Sequence, residues 1–154
     1  MLRLLIIAIL ILPCPKLVAA DQSWPLDSND SSELDLHGNV SAADGVKGGS
    51  LVFNGDCLLK VNDSERLAGG EAGFTLTAWV NPYRLSGEQQ MIAAKNRYSL
   101  GERQWSVMID KDHHFRLYVY QGSWVTADSS ELPKPGHWHL IGVVVRPGSA
   151  ELWV

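Results

Sequence analysis

Paired carboxylates are the first candidates for chemistry in this chain. In the run from Glu33 to His37, the side chains of Glu33, Asp35 and His37 alternate with two leucines, so an extended backbone would place them on one face. Glycoside hydrolysis needs two carboxyl groups, which lie roughly 5 Å apart in retaining enzymes. A histidine cannot replace the acid/base carboxyl, and the surrounding stretch is rich in Ser, Asp and Asn. The sequence therefore predicts a solvated turn here, with catalysis as the alternative.

A second cluster, Asp110-Lys111-Asp112-His113-His114, combines two carboxylates with two imidazoles. Metal ligands must converge on one point, whereas adjacent histidines on an extended chain point to opposite faces. The flanking runs Trp105–Ile109 and Phe115–Tyr120 both alternate and have the right spacing to pair with each other. A polar hairpin tip is the favoured interpretation, and a metal site is the alternative.

The run Phe115–Tyr120 also suggests a binding surface. Arg116, Tyr118 and Tyr120 share one face of this run, and the other face is apolar. Trp124 follows across a tight turn and would extend the row. Tyrosine rings stack on sugar faces, and arginine pairs with carboxylates or sulfates. We therefore predict that these four residues bind a ligand, while cross-strand packing without any ligand is the alternative.

The elements that would position these side chains are short strands. Residues 21–154 contain no apolar stripe of helical period, but they contain many short runs of period two separated by Gly, Pro and Asp clusters. Short strands at this spacing predict a sandwich or a barrel. Residues 21–49 look polar and loop-like apart from Trp24-Pro25-Leu26. The predicted strands are Leu51–Phe53, Leu58–Val61, Phe74–Asn81, Met91–Ala94, Trp105–Asp110, Phe115–Tyr120, Trp124–Ala127, Trp138–Val145 and Ala150–Val154.

Residues 1–20 have the features of a secretory signal peptide. Arg3 supplies the positive charge, Leu4–Leu12 supply a short apolar run, and Val18-Ala19-Ala20 resembles a cleavage site. The apolar run is shorter than the about 20 residues that span a bilayer. A lipid anchor at Cys14 is the alternative, although prolines flank that cysteine. We expect an exported domain of residues 21–154, either secreted, periplasmic or at the cell surface, with no further run of membrane-spanning length.

The charge of this predicted mature chain limits the classes of partner that it can bind, and its cysteine content limits the disulfides that it can form. Removing residues 1–20, which include Arg3 and Lys16 but no acidic residue, leaves 11 basic and 17 acidic residues and a net charge of −6. No basic stripe is present, which argues against a nucleic-acid partner. Cys57 would be the single remaining cysteine, so no disulfide forms within the mature chain, and its apolar neighbours predict a buried thiol.

Six segments, in order, resemble the laminin-G-like branch of the concanavalin A-like lectin/glucanase families. The resemblance extends from about Trp24 to Val154 and implies a two-sheet antiparallel jelly roll. It also leads us to expect an incomplete domain, because the last of these segments is cut before the turn that follows it in the family. The segments are Trp24–Asp27, Asp35–Asn39, Ser50–Gly55, Phe74–Pro82, Gly136–His139 and Glu151–Val154.

The resemblance also implies a class of function. Members of these families commonly bind glycans or protein surfaces, sometimes around calcium, and Asp27 and Asn39 match positions near the calcium-associated end. Many are accessory domains of exported sialidases, sulfatases and glycoside hydrolases. We therefore expect a carbohydrate-recognition module that lacks catalytic activity of its own, within a longer protein that has a catalytic domain. A protein-interaction or structural module and a glucanase-type hydrolase are the alternatives.

Overall fold

The computed structural model describes residues 4–12, 22–27, 34–61 and 73–154. These parts of the chain are built from antiparallel strands and include one 3-10 turn at Tyr98–Leu100. Among the described residues, no helix is long and apolar enough to cross a membrane. The strands are β1 Leu4–Leu12, β2 Gln22–Pro25, β3 Leu34–His37, β4 Ser41–Asp44, β5 Gly49–Phe53, β6 Leu58–Val61, β7 Phe74–Pro82, β8 Gln90–Arg97, β9 Glu102–Ile109, β10 Phe115–Tyr120, β11 Trp124–Asp128, β12 His139–Arg146 and β13 Ser149–Trp153.

The strands form two main sheets and one small ribbon. The larger sheet has the order β13-β12-β7-β1-β5-β4, with β2 paired to β1. The smaller sheet has the order β11-β10-β9-β8, and β3 pairs with β6 as a two-stranded ribbon. Every pairing is antiparallel. The predicted all-β, antiparallel jelly-roll sandwich is thus confirmed.

Alternation within the strands produces the core between the two sheets. In β7, every second side chain from Phe74 to Val80 is buried, whereas the residues between them are partly exposed. Strand β10 of the smaller sheet repeats this pattern and buries Phe115, Leu117 and Val119 completely. Side chains from both sheets belong to one hydrophobic cluster. Burying each large apolar side chain contributes roughly 1.5–3 kcal/mol, so this interface holds the sheets together.

All nine strands predicted from the sequence are present, with ends that shift by at most three residues. The prediction of loop for residues 21–49, which excluded Trp24-Pro25-Leu26, is wrong where β3 and β4 lie. The predicted turn around Asp35 is also wrong, because β3 pairs there with β6. Leu34 and Leu36 lie half-buried against the core, and the exposed polar residues between them concealed this short alternation.

Strand β1 occupies a central place in the larger sheet. It lies between β5 and β7 and runs antiparallel to both. The same residues form the apolar run of the predicted signal peptide, and an apolar run of this length suits a central strand equally well. Cleavage after Ala20 stays a prediction, as does the domain boundary at residue 21.

Candidate functional site

The candidate binding residues lie on the outer face of the smaller sheet. Strand β10 directs Arg116, Tyr118 and Tyr120 away from the buried side, and all three are half-buried. A tight turn brings in Trp124, because the amide of Gln121 donates to the carbonyl of Ser123 over 2.9 Å. The intervening Gly122 has φ +82°, a conformation that favours glycine. The turn places Trp124 directly opposite Tyr120.

We call Tyr118, Tyr120 and Trp124 the aromatic row. The indole of Trp124 meets the Tyr120 ring at 5.3 Å between centroids and the Tyr118 ring at 6.2 Å, both edge to face. The guanidinium groups of Arg103 and Arg116 lie over the Tyr120 and Tyr118 rings, at 5.6 and 5.9 Å from the centroids. Both tyrosines therefore have neighbours on their ring faces. Trp124, with 37% of its surface exposed, presents the most open ring of the row.

Arg116 is surrounded by carboxylates. Its Nη2 donates to Asp112 Oδ2 over 2.7 Å and to Asp128 Oδ2 over 2.8 Å. Its Nε donates to the second oxygen of Asp128, and its Nη1 donates to Asp110. Four of the five N–H donors of the guanidinium are used in this way. The sequence predicts that Arg116 pairs with an acidic ligand. In the structure, carboxylates of the protein itself accept most of the hydrogen bonds that Arg116 can donate.

Asp110 connects this network to the aromatic row. It is buried, and its carboxylate accepts hydrogen bonds from Tyr118 Oη at 2.7 Å, the Lys111 amide at 2.8 Å and Gln89 Nε2 at 3.1 Å. Burial opposes ionisation of the carboxyl, but these donors, together with Arg116, outweigh burial and lower its pKa to about 2. Asp110 is therefore an anion at neutral pH.

The contacts around Asp110 and Arg116 also shift the pKa values of Arg116, Asp128 and Tyr118. The hydrogen bond to Asp128 is the largest effect raising the pKa of Arg116, and the same bond lowers the pKa of Asp128. Burial raises the pKa of the Tyr118 hydroxyl, and its bond to Asp110 raises it further. The hydroxyl is therefore protonated and donates to Asp110.

The segment Asp110–His114 forms the predicted hairpin tip. The amide of Asp110 donates to His114 O over 2.9 Å, and the amide of His113 donates to Asp110 O over 2.8 Å. His113 has φ +69°, and Nδ1 of His114 lies 2.8 Å from the carbonyl oxygen of Ser129. Within the described ranges, no group of three or more His, Cys, Asp or Glu side chains is placed to hold a metal ion.

The residues suggested for calcium lie exposed at the ends of two strands. Asp27 follows β2 and Asn39 follows β3, and both side chains are exposed. Calcium takes six to eight oxygen ligands, and these two residues belong to no convergent acidic cluster in the part of the chain that the structure describes. Calcium binding at Asp27 and Asn39 stays an untested prediction.

The carboxylate segment on β3 also has a defined geometry. Asp35 and His37 share an exposed face, where Asp35 Oδ2 lies 3.0 Å from Nε2 of His37. Glu33, the remaining member of the predicted set, lies outside the described residues. The described part of this segment thus presents one carboxylate and one imidazole in solvent, rather than a pair of carboxylates at the bottom of a cleft.

Sequence reasoning missed the acidic partners of Arg116. The predicted strand Trp124–Ala127 ends before Asp128, but the pairing of β10 with β11 places Asp128 directly opposite Arg116. The predicted hairpin tip includes Asp110, but the side chain of Asp110 turns back toward Arg116 and Tyr118. The number of residues in the turn at Gly122 fixes the β10–β11 register. Counting back from this turn predicts that Asp128 lies opposite Arg116.

The comparisons with known proteins agree with this architecture. The Laminin G family model, described as the concanavalin A-like lectin/glucanases superfamily, matches residues 53–154. The matched segment includes the whole smaller sheet and the aromatic row, while the first two resembling segments precede it. No curated protein and no solved structure gives a significant match to the chain. The family match covers about two thirds of the sequence, and the chain belongs to the concanavalin A-like lectin/glucanases superfamily.

Proposed function

We propose that this chain is an exported carbohydrate-recognition module that binds glycans on the outer face of the smaller sheet. The observation that carries the proposal is the exposed indole of Trp124, which is braced edge to face by two tyrosines. An aromatic ring held by its neighbours gives a sugar a flat apolar surface at a low cost in side-chain entropy. Superfamily membership supports a binding module of this general kind.

Each residue of the face has a different part in this proposal. Trp124 stacks on the sugar ring, and Tyr120 lies beside it and contributes its hydroxyl. Tyr118 and Arg116 position the row, since both are tied to Asp110 on the same face. The buried positions behind them, which include Leu117 and Val119, keep strand β10 in place.

The setting of the module is also a proposal. The signal-like residues 1–20 support export to the periplasm, the cell surface or the medium. Superfamily membership supports an accessory role within a longer protein, such as a sialidase, a sulfatase or a glycoside hydrolase. In that arrangement the module holds the polymer, and a separate domain performs the chemistry. Calcium at Asp27 and Asn39 is a further part of this proposal, to be tested as a thermal shift on adding calcium chloride.

We propose no catalytic activity for the chain itself. Glycoside hydrolysis requires two carboxyl groups on either side of the scissile bond. The three carboxylates that converge on the outer face, those of Asp110, Asp112 and Asp128, are engaged by Arg116. Turnover of a polysaccharide by the purified chain, abolished in Asp35→Ala, would overturn this part of the proposal.

Glycan-array binding of the wild type and of Trp124→Ala tests the proposal. Loss of a stacked aromatic should weaken binding by roughly 1–3 kcal/mol, or about 5- to 150-fold. Trp153→Ala is the matched control, because Trp153 is similarly exposed but belongs to the larger sheet. Equal losses in the two variants, or no glycan binding by the wild type, would overturn the proposal.

A protein-interaction module is the second candidate function. It is favoured by the exposed apolar residues at one side of the larger sheet, Leu140, Trp153 and Val154. Binding to a protein surface there would leave the smaller sheet unused. In that case Trp153→Ala would impair binding to the protein partner, whereas Trp124→Ala would not. The same pair of variants therefore separates the two functions.

A further inference from the structure

We propose that the aromatic row selects neutral glycans over their sulfated or carboxylated forms. This inference rests on the glycan-binding function proposed above and adds the chemical class of the ligand. It reverses the expectation that Arg116 attracts acidic sugars.

The first step is the charge beside Tyr118. Three carboxylates, those of Asp110, Asp112 and Asp128, contact the single guanidinium of Arg116. This group of four side chains carries a net charge of −2 at neutral pH. An acidic sugar that approached Arg116 would meet a cation whose hydrogen-bonding capacity is largely used and whose charge is more than offset.

The second step is accessibility. Side chains of Asp112 and Asp128 are 49% and 44% exposed, whereas that of Arg116 is 19% exposed. The negative charge of the group therefore faces solvent, and the positive charge lies beneath it. Anything bound against Tyr118 meets these exposed carboxylates together with Arg116, whose single positive charge they more than offset.

The third step is the opposite end of the row. The guanidinium of Arg103 lies over the Tyr120 ring and places a positive charge at that end of the row. This charge partly offsets the negative charge at the Tyr118 end. The three carboxylates around Arg116 and the two guanidinium groups of Arg116 and Arg103 together still carry a net charge of −1. A neutral sugar can stack on Trp124 without repulsion at either end, whereas a sulfate or carboxylate is tolerated only in one orientation.

The test compares neutral oligosaccharides with sulfated and carboxylated forms of the same backbones on one array. We expect the neutral forms to bind about 10-fold more tightly at low salt. The preference should shrink at 1 M salt, because the Debye length falls from about 10 Å at 0.1 M to about 3 Å. Acidic forms that bind as tightly as the neutral ones, in a manner that depends on Trp124, would overturn this inference and leave the proposed function standing.

A variant tests the cause of the preference. Asp112→Asn removes one exposed charge and replaces the charge-assisted hydrogen bond to Arg116 with, at most, a weaker neutral one, and it should reduce the neutral-to-acidic affinity ratio about 3-fold. Asp56→Asn is the matched control, because it removes an exposed carboxylate from the turn between β5 and β6. An unchanged ratio in Asp112→Asn, or an equal change in both variants, would overturn the inference. Absence of binding to every glycan would overturn both the inference and the proposed function.

Discussion

The hydroxyl of Tyr118 donates a hydrogen bond to the buried carboxylate of Asp110 over 2.7 Å. Tyr118 lies at one end of the aromatic row, and Asp110 directly follows the preceding strand β9, eight residues earlier. Arg116 contacts the same carboxylate. A residue from the β9–β10 connection therefore anchors the candidate binding face, and the stability of that face depends on the ionisation of one carboxyl group.

Acid should destabilise the domain through Asp110. Its pKa is lowered to about 2 in the folded protein from a usual value of 3.8, so its stabilising contribution is present above about pH 4 and is lost as the pH falls toward 2. The shift corresponds to roughly 2 kcal/mol. In thermal melts, Asp110→Asn should be less stable than wild type at pH 7, and the difference should nearly vanish at pH 2. Parallel curves for the two proteins between pH 5 and pH 2 would contradict this assignment.

Gly73→Ala should cost more stability than Gly87→Ala. Both glycines have positive φ, +76° and +73°, so alanine is strained at either position by about 1–2 kcal/mol. At Gly73, a Cβ atom would also collide with the backbone carbonyl of Val145, whereas the space beside Gly87 is open. Urea unfolding should show an additional loss of about 1–2 kcal/mol for Gly73→Ala. Equal losses would mean that β7 and β12 separate easily at this end.

Gly142→Ala should displace the indole of Trp153. Gly142 lies opposite Trp153 in the β12–β13 pairing, and a Cβ atom there would overlap the indole ring. Overpacking of this kind costs roughly 1–3 kcal/mol, with the lower end expected because the ring is on an edge strand and is partly exposed. The measurement is a comparison of melting temperatures, with Trp153→Ala as the background. Gly142→Ala should be nearly neutral once the indole is absent, and a full loss in that background would contradict the proposed overlap.

Removal of residues 1–20 should loosen strands β5 and β7. These two strands pair with β1 on their facing edges, so the removal leaves backbone groups of both without partners. Amide hydrogen exchange in the chain of residues 21–154 should be faster at Leu51 and at Leu76–Val80 than in the full chain. Exchange in β10 is the internal control, because β10 lies in the other sheet. Unchanged protection in β5 and β7 would show that another segment fills the place of β1.

Local alternation was enough to predict most of the sandwich. The positions of Phe74, Leu76, Phe115 and Leu117 indicated which side of each strand faces the core, because side chains of a strand alternate with a period of two. Alternation does not reveal β3, because polar neighbours flank its two inward-facing leucines. It also does not predict the place of β1 in the larger sheet, since an apolar run is typical of a signal peptide and of a central strand alike.

The spacing of Arg116, Tyr118 and Tyr120 is sufficient to place them on the outer face of one strand, because side chains of a strand alternate with a period of two. Their contacts, in contrast, depend on the tertiary structure. Asp128 comes from the next strand and Asp110 from the previous connection, and pairing register and side-chain packing bring both to Arg116. Those contacts are non-local, so no periodicity in the chain reveals them. Because of these contacts, Arg116, which the sequence predicts to pair with acidic ligands, lies at the centre of a group of side chains with net negative charge.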